Sequence, residues 1–148
     1  MTSARTADRE GAWAHLVYAG AAAQRLGQDA NHLWTAVGPT NVRIHEVSVT
    51  AELGDYQQAA SLGTTVDVSG MPTERQVRHR LEVARAQDYQ HRPTEANQLL
   101  LEAEQLAPDQ VHGHFLTHSL VHDRLRTNKI TPTPELNRLA QATGILAA

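Results

Sequence analysis

The stretches "ELGDYQQAASL" (Glu52–Leu62) and "YQHRPTEANQLL" (Tyr89–Leu100) decide the fold, because they superpose. Gly54 falls on His91 and Ala59 on Ala96, each offset by 37 residues, while Pro72 falls on Pro108 at an offset of 36. Both describe one event: a helix stops, a short turn follows, and a second helix begins whose small residue, Ala59 or Ala96, permits close approach to the first. A repeat of helix, tight turn and helix with a period of about 34 residues is the sign of stacked helical hairpins. A single hairpin cannot bury its apolar face alone, so its neighbours cover it.

The same alternation extends in both directions. Upstream, Gly38-Pro39 stops one helix and lets Thr40 or Asn41 cap the next, "NVRIHEVSVTAEL", which ends at Gly54. Before it, Trp13, Leu16, Val17, Ala19 or Gly20, and Ala23 recur at helical spacing from about Asp8 to Leu26. Gly27 stands where a left-handed C-cap belongs, and "QDANHLWTAV" adds a short helical turn or two. Asp55 caps the helix after Gly54, and "DVSGMPTE" is a loop from which Thr73 caps a helix running from Glu74 to about Gln90. Pro93 or Thr94 opens the next helix and Pro108 closes it, followed by a helix from Asp109 to about Arg126. The tail carries Thr133 as N-cap, Pro134 at the first helical position, Glu135 in the first turn and Gly144 as the stop.

The expected fold class is therefore all-α, a right-handed α-solenoid of helix-turn-helix repeats with about seven helices in one domain, 1–148. Residues 8–40 form an incomplete first repeat and joint, 41–72 and 73–108 form repeats, and 109–148 form C-terminal capping helices. Composition agrees: 148 residues suit one domain, and a 41% apolar fraction supplied mostly by Ala, Leu and Val, with a single Phe, suits close helix packing. Thirteen basic against sixteen acidic residues leave a net charge of −3, without the basic footprint of a nucleic-acid binder. "RQVRHR" (Arg75–Arg80) reads as a solvated helix face. The absence of cysteine excludes disulfides, thiolate metal sites and a thiol nucleophile. No signal-type apolar core opens the chain and no apolar run is long enough for a bilayer, so the cytoplasm, without a membrane partner, is the expected location.

Three segments, "LGQDANHLWTAVGPTNVRIHEVSVTAELGDYQQA" (26–59), "PTERQVRHRLEVARAQ" (72–87) and "EANQLLLEAEQLAPDQV" (95–111), carry a family resemblance. The chain resembles the tetratricopeptide-repeat family, and more narrowly the C-terminal repeat region of actinobacterial XRE-type helix-turn-helix regulators, from about Asp8 to the end. The resemblance implies a helical sensor or oligomerisation region, attached in those regulators to an N-terminal DNA-binding domain that this sequence lacks. The first helix looks like the second half of a repeat whose first half is absent. Departures from the repeat pattern are His91 where Gly is usual, Gln87 and Thr50 where a large aromatic is common, and Arg80 and Arg43 at often apolar positions.

Two constellations could carry chemistry. Under the repeat alignment, the helix from Asn41 presents Asn41, Ile44 with His45, Ser48 and Glu52. The matching helix presents Arg78, Leu81 with Glu82, Arg85 and Tyr89, and Trp34 supplies a stacking wall at the end. Donors and acceptors from neighbouring helices would then line one concave surface, suited to a peptide, a partner protein or a small polar effector. Alternatively, Trp34 plugs the core, Gly38-Pro39-Thr40-Asn41 is only a stop and cap, and His45 is solvated. In "HGHFLTHSLVHD", His114, His118 and His122 fall four apart and would stack on one helical face, where pairs of imidazoles can chelate zinc or nickel. No Glu stands between them in the zinc-protease pattern, so this face reads instead as a solvated one that gains charge between about pH 5 and 7.

No nucleophile elbow or Gly-rich phosphate loop is present, and i,i+3 or i,i+4 pairs such as Glu74 with Arg78 and Glu82 with Arg85 read as helix support. The expectation is a non-catalytic binding module without a cofactor, a sensor or protein-interaction domain related to transcriptional regulators. The alternative is a homodimerisation module that pairs the Trp13 face and the incomplete first repeat with a second copy.

Overall fold

The computed structural model describes residues 8–26, 38–126 and 132–146. Among them are eight α-helices and no strand: α1 Arg9–Leu26, α2 Pro39–Glu52, α3 Tyr56–Gly63, α4 Thr73–Tyr89, α5 Pro93–Leu106, α6 Pro108–His112, α7 Phe115–Arg126 and α8 Pro134–Ala142. Gly27, the expected first C-cap, and Trp34 lie outside the described residues.

Proline sets four of the starts. Pro39, Pro93, Pro108 and Pro134 each stand in the first turn of their helix, where the missing N–H costs nothing and the fixed φ is already helical. For this reason α2 begins at Pro39 with Gly38 as its cap residue, ahead of Thr40 and Asn41. Helix α4 likewise begins at Thr73, after Pro72, so Thr73 is the first helical residue and not the cap. Thr133 does cap α8, its hydroxyl accepting the Leu136 N–H at 3.3 Å.

The two superposed stretches form the same turn. Gly54 (φ 84°) and His91 (φ 56°) are both left-handed. The Gly54 N–H donates to the Ala51 carbonyl at 3.1 Å and the Asp55 N–H to Thr50 at 3.0 Å. At the second turn His91 donates to Asp88 at 2.9 Å and Arg92 to Gln87 at 3.0 Å. A left-handed residue with this bond pair satisfies the last carbonyls of a helix and reverses the chain. The small residues expected at the closest approach, Ala59 and Ala96, are both buried.

Packing is chiefly between neighbours in the chain, with α4 at the centre: it contacts α3 and α5 and also reaches α2, α6 and α7. Val77 and Leu81 of α4 join Leu100, Ala103, Val111, Leu116, Val121, Leu136 and Leu139 in one apolar cluster. On another side Val83 and Ala86 join Val47, Ala51, Ala59 and Ala60. A fully buried leucine such as Leu81 contributes about 1.5 to 3 kcal/mol by burial alone. Gly63 ends α3 against Val83, so close that any Cβ at Gly63 would overlap the valine. The Gly63 carbonyl also takes a hydrogen bond from Nε2 of buried His79, at 3.0 Å.

This crowding around α4 corrects the reading of Arg75–Arg80 as a solvated face. Val77 and His79 are buried and the three arginines are half-buried, because long side chains lay their stems along apolar neighbours while the charged heads find partners. Arg80, for example, donates to the Gln76 carbonyl at 3.1 Å.

Helix Asp109–Arg126 is also corrected: it breaks at Gly113 and His114 into α6 and α7, which brings the helices among the described residues to eight where about seven were expected. Polar clasps hold this end. Arg124 of α7 donates to Asp88 at 2.6 Å, to Asn97 at 2.8 Å and to the Pro93 carbonyl at 3.0 Å, fixing α7 to the α4–α5 turn. Buried Glu104 of α5 accepts two bonds from Arg138 of α8, at 2.9 and 2.6 Å, and pairs with Nε2 of His112 at 2.8 Å.

Candidate functional site

Asn41, His45, Ser48 and Glu52 rise along α2 at helical spacing, as do Arg78, Glu82, Arg85 and Tyr89 along α4. Because α2 and α4 touch, the two rows run side by side. The electrostatics record the juxtaposition. Burial pushes His45 below its ordinary value, and the charges of Arg75 and Arg78 push it further, so the imidazole is neutral near pH 7. Glu82 is only 3% exposed, and burial raises its carboxyl above the usual range although Arg85 and Arg78 oppose the shift; the Glu52 carboxylate adds to it. Arg85 Nη2 stands 2.8 Å from Glu82 Oε2, as the i,i+3 spacing predicts. At the far end the Tyr89 ring lies flat on Tyr56, centroids 4.0 Å apart and planes at 3°.

The structure thus brings His45, Arg78, Arg85 and Tyr89 to one face, the arginines half-buried and Tyr89 exposed. Ser48 is not available there: it is buried, as are Ile44 and Leu81, whose apolar side chains belong to the core. Tyr56 and Arg75 were missed by the sequence reading. Tyr56 lies on α3, 33 positions from its stacking partner, and no local periodicity links the two.

Asn41 and His45 also border a cleft of about 420 Å³ between α1 and α2. From α1 it is walled by Ala12, His15, Leu16, Ala19, Ala22 and Ala23, and from α2 by Gly38, Asn41, Val42, His45 and Val49. Small side chains on α1 create the space. The recurrence of Ala12, Leu16, Ala19 and Ala23 along α1 was the available signal, but Trp13 and Val17 drew the inward face too far round. Trp13 is half-buried, whereas Val17 and Tyr18 are 70% and 80% exposed.

The three stripe histidines are engaged separately. With the helix broken at Gly113, His114 precedes α7, where its Nδ1 accepts the Leu116 N–H at 3.2 Å. His118 Nε2 bonds the His112 carbonyl at 2.8 Å, and His122 is exposed beside Asp123 at 3.6 Å. Among the described residues no group of three His, Asp or Glu side chains is placed to hold a metal. Burial, with the charge of Arg78, lowers the pKa of His114, so its charging moves to more acid pH than the sequence suggested.

No family model, curated protein or solved structure matches the chain. No helix among the described residues is long and apolar enough to cross a membrane.

Proposed function

We propose that the chain is a non-catalytic binding module that holds a peptide, a partner protein or a small effector on the α2–α4 face. The observation that carries this reading is the row of half-buried Arg78, Arg85 and Tyr56, with exposed Tyr89 stacked on Tyr56, beside the neutral His45. Groups of this kind recognise planar or anionic parts of a ligand, and their partial burial limits the ordering cost of binding. The architecture proposed is a right-handed solenoid of tetratricopeptide type. Support comes from the duplicated turn at Gly54 and His91 and from packing chiefly between chain neighbours. With the resemblance to XRE-type regulators, this favours a cytoplasmic sensor or interaction role in transcriptional control, without direct contact to nucleic acid.

Native mass spectrometry of the untagged protein purified from its own host tests the proposal. A discrete adduct or partner is expected on the wild type and is expected to be lost when His45, Arg78 and Arg85 are replaced together by alanine. An adduct that survives the triple replacement would overturn this site.

A second reading, homodimerisation through α1, is favoured by one observation: Val17 and Tyr18 place an apolar and an aromatic side chain in solvent on a helix whose main contacts are with α2. Sedimentation across a concentration series separates the two, since a strict monomer at high concentration excludes the dimer.

A further inference from the structure

The cleft between α1 and α2 differs chemically from the α2–α4 face. Among the described residues its wall holds no Asp, Glu, Lys or Arg; apart from His15, Asn41 and His45 these are alanine, leucine, valine and glycine. A volume of about 420 Å³ falls within the roughly 300 to 1,000 Å³ of small-molecule sites, which are mostly apolar with a few convergent polar groups. Charged ligands are disfavoured, because an ion leaving water for this wall would find no opposite charge to replace its hydration.

The polar groups narrow the ligand further. Asn41 Oδ1 is shut off from solvent and has no hydrogen-bond partner, a state that costs free energy in an empty site. Asn41 lines the cleft, and turning its amide about the last torsion exchanges Oδ1 and Nδ2, so the side chain can meet a ligand with an acceptor as well as a donor. Half-buried, neutral His45 one helical turn on offers one ring nitrogen as donor and the other as acceptor.

We propose that the α1–α2 cleft is a binding site for a neutral, largely apolar small molecule carrying a hydrogen-bond donor, which seats its apolar body against Ala19, Ala22 and Ala23 and donates to Asn41 Oδ1. This goes beyond the binding face proposed above. The cleft requires neither Arg78 nor Arg85, and the two sites meet only along the Asn41–His45 edge of α2.

The test uses the full chain and two fluorescent probes that share one skeleton. N-phenyl-1-naphthylamine is neutral, apolar and has a single N–H donor; 8-anilino-1-naphthalenesulfonate adds an anionic sulfonate to it. Saturable binding of the neutral amine at one per chain is expected, with the sulfonate at least tenfold weaker. Ala19→Phe, which fills the cleft, should weaken the amine at least tenfold, and Asn41→Leu should weaken it about threefold to tenfold, the loss of one neutral hydrogen bond. The Arg78→Ala/Arg85→Ala variant should bind it unchanged, so failure of the α2–α4 reading leaves this result standing.

Equal affinity for both probes overturns the proposal, and that comparison needs no substituted protein, so it holds even if Ala19→Phe fails to fold. Undiminished binding to a folded Ala19→Phe variant overturns it as well. Displacement of the amine as protein concentration rises would place a second copy in the cleft, and would equally exclude the small molecule.

Discussion

His91 takes the left-handed backbone that Gly54 takes 37 residues earlier, and both make the same pair of turn hydrogen bonds. A side chain with a Cβ is strained there, by roughly 1 to 2 kcal/mol for an ordinary L residue. His91→Gly should therefore raise the free energy of unfolding by about 1 kcal/mol, after the greater freedom glycine gives the unfolded chain. Gly54→Ala should lower it by a similar amount. Urea titration of both variants checks the pair, and a stabilising Gly54→Ala would mean that the turns are not equivalent.

Gly63 and Val83 bring α3 and α4 together without room for a methyl group. Gly63→Ala must push Val83 aside or separate the helices, an overpacking cost of about 1 to 3 kcal/mol. Val83→Ala in the same chain should recover part of it. A double-mutant cycle by thermal unfolding reads that recovery as non-additivity between the two positions.

Acid should act first through histidine. His79 is buried and its pKa is lowered, chiefly by burial; His45 and His114 are lowered for the same leading reason. The unfolded chain therefore binds protons that the folded chain refuses, so stability present at neutral pH falls as the pH drops through the ordinary histidine value of about 6.5. His79→Gln, which keeps a donor within reach of the Gly63 carbonyl, should lessen the loss measured between pH 7.5 and 5.5. The remainder belongs to His45 and His114. An unchanged pH slope would remove His79 from this account.

Glu104 acts lower on the pH scale. Hydrogen bonds from Arg138 hold its carboxyl below the usual range, with His112 adding to the effect. Its contribution is present above the ordinary carboxyl value and is lost as pH falls through the depressed one. Arg138→Met should cost about 1 kcal/mol at pH 7, the low end for a charged hydrogen bond because Arg138 is more than half exposed. The difference from wild type should shrink progressively as the pH falls below the ordinary carboxyl value of about 4.3, which chemical denaturation across an acid pH series would show.

Local signals carried the helices well. Pro134 with Thr133 and Gly144, and the matched Gly54 and His91 turns, each place a boundary through the backbone of a few adjacent residues. Environment was less legible. "RQVRHR" is polar by composition, yet it lies on the helix with the most neighbours, and contact from α2, α3, α5, α6 and α7 buries what periodicity would leave in water. The histidine stripe keeps its spacing, with His114 just ahead of α7 and His118 and His122 on it, but backbone partners engage the first two rings separately, which spacing alone does not show. At the site, the rows on α2 and α4 followed from spacing, whereas the burial of Ser48 and the stacking of Tyr56 on Tyr89 depend on how helices meet.

The central place of α4 also orders the way the molecule comes apart. Helix α1 lies at one end of the chain of contacts and contributes no residue to the two apolar clusters on either side of α4, so it can open while both stay closed. Amide protons of α1 should thus exchange with solvent through small, frequent openings, while those of Val77 to Ala86 should wait for global unfolding. The most highly charged of the long helices would then be the slowest part of the protein to exchange its hydrogens for deuterium.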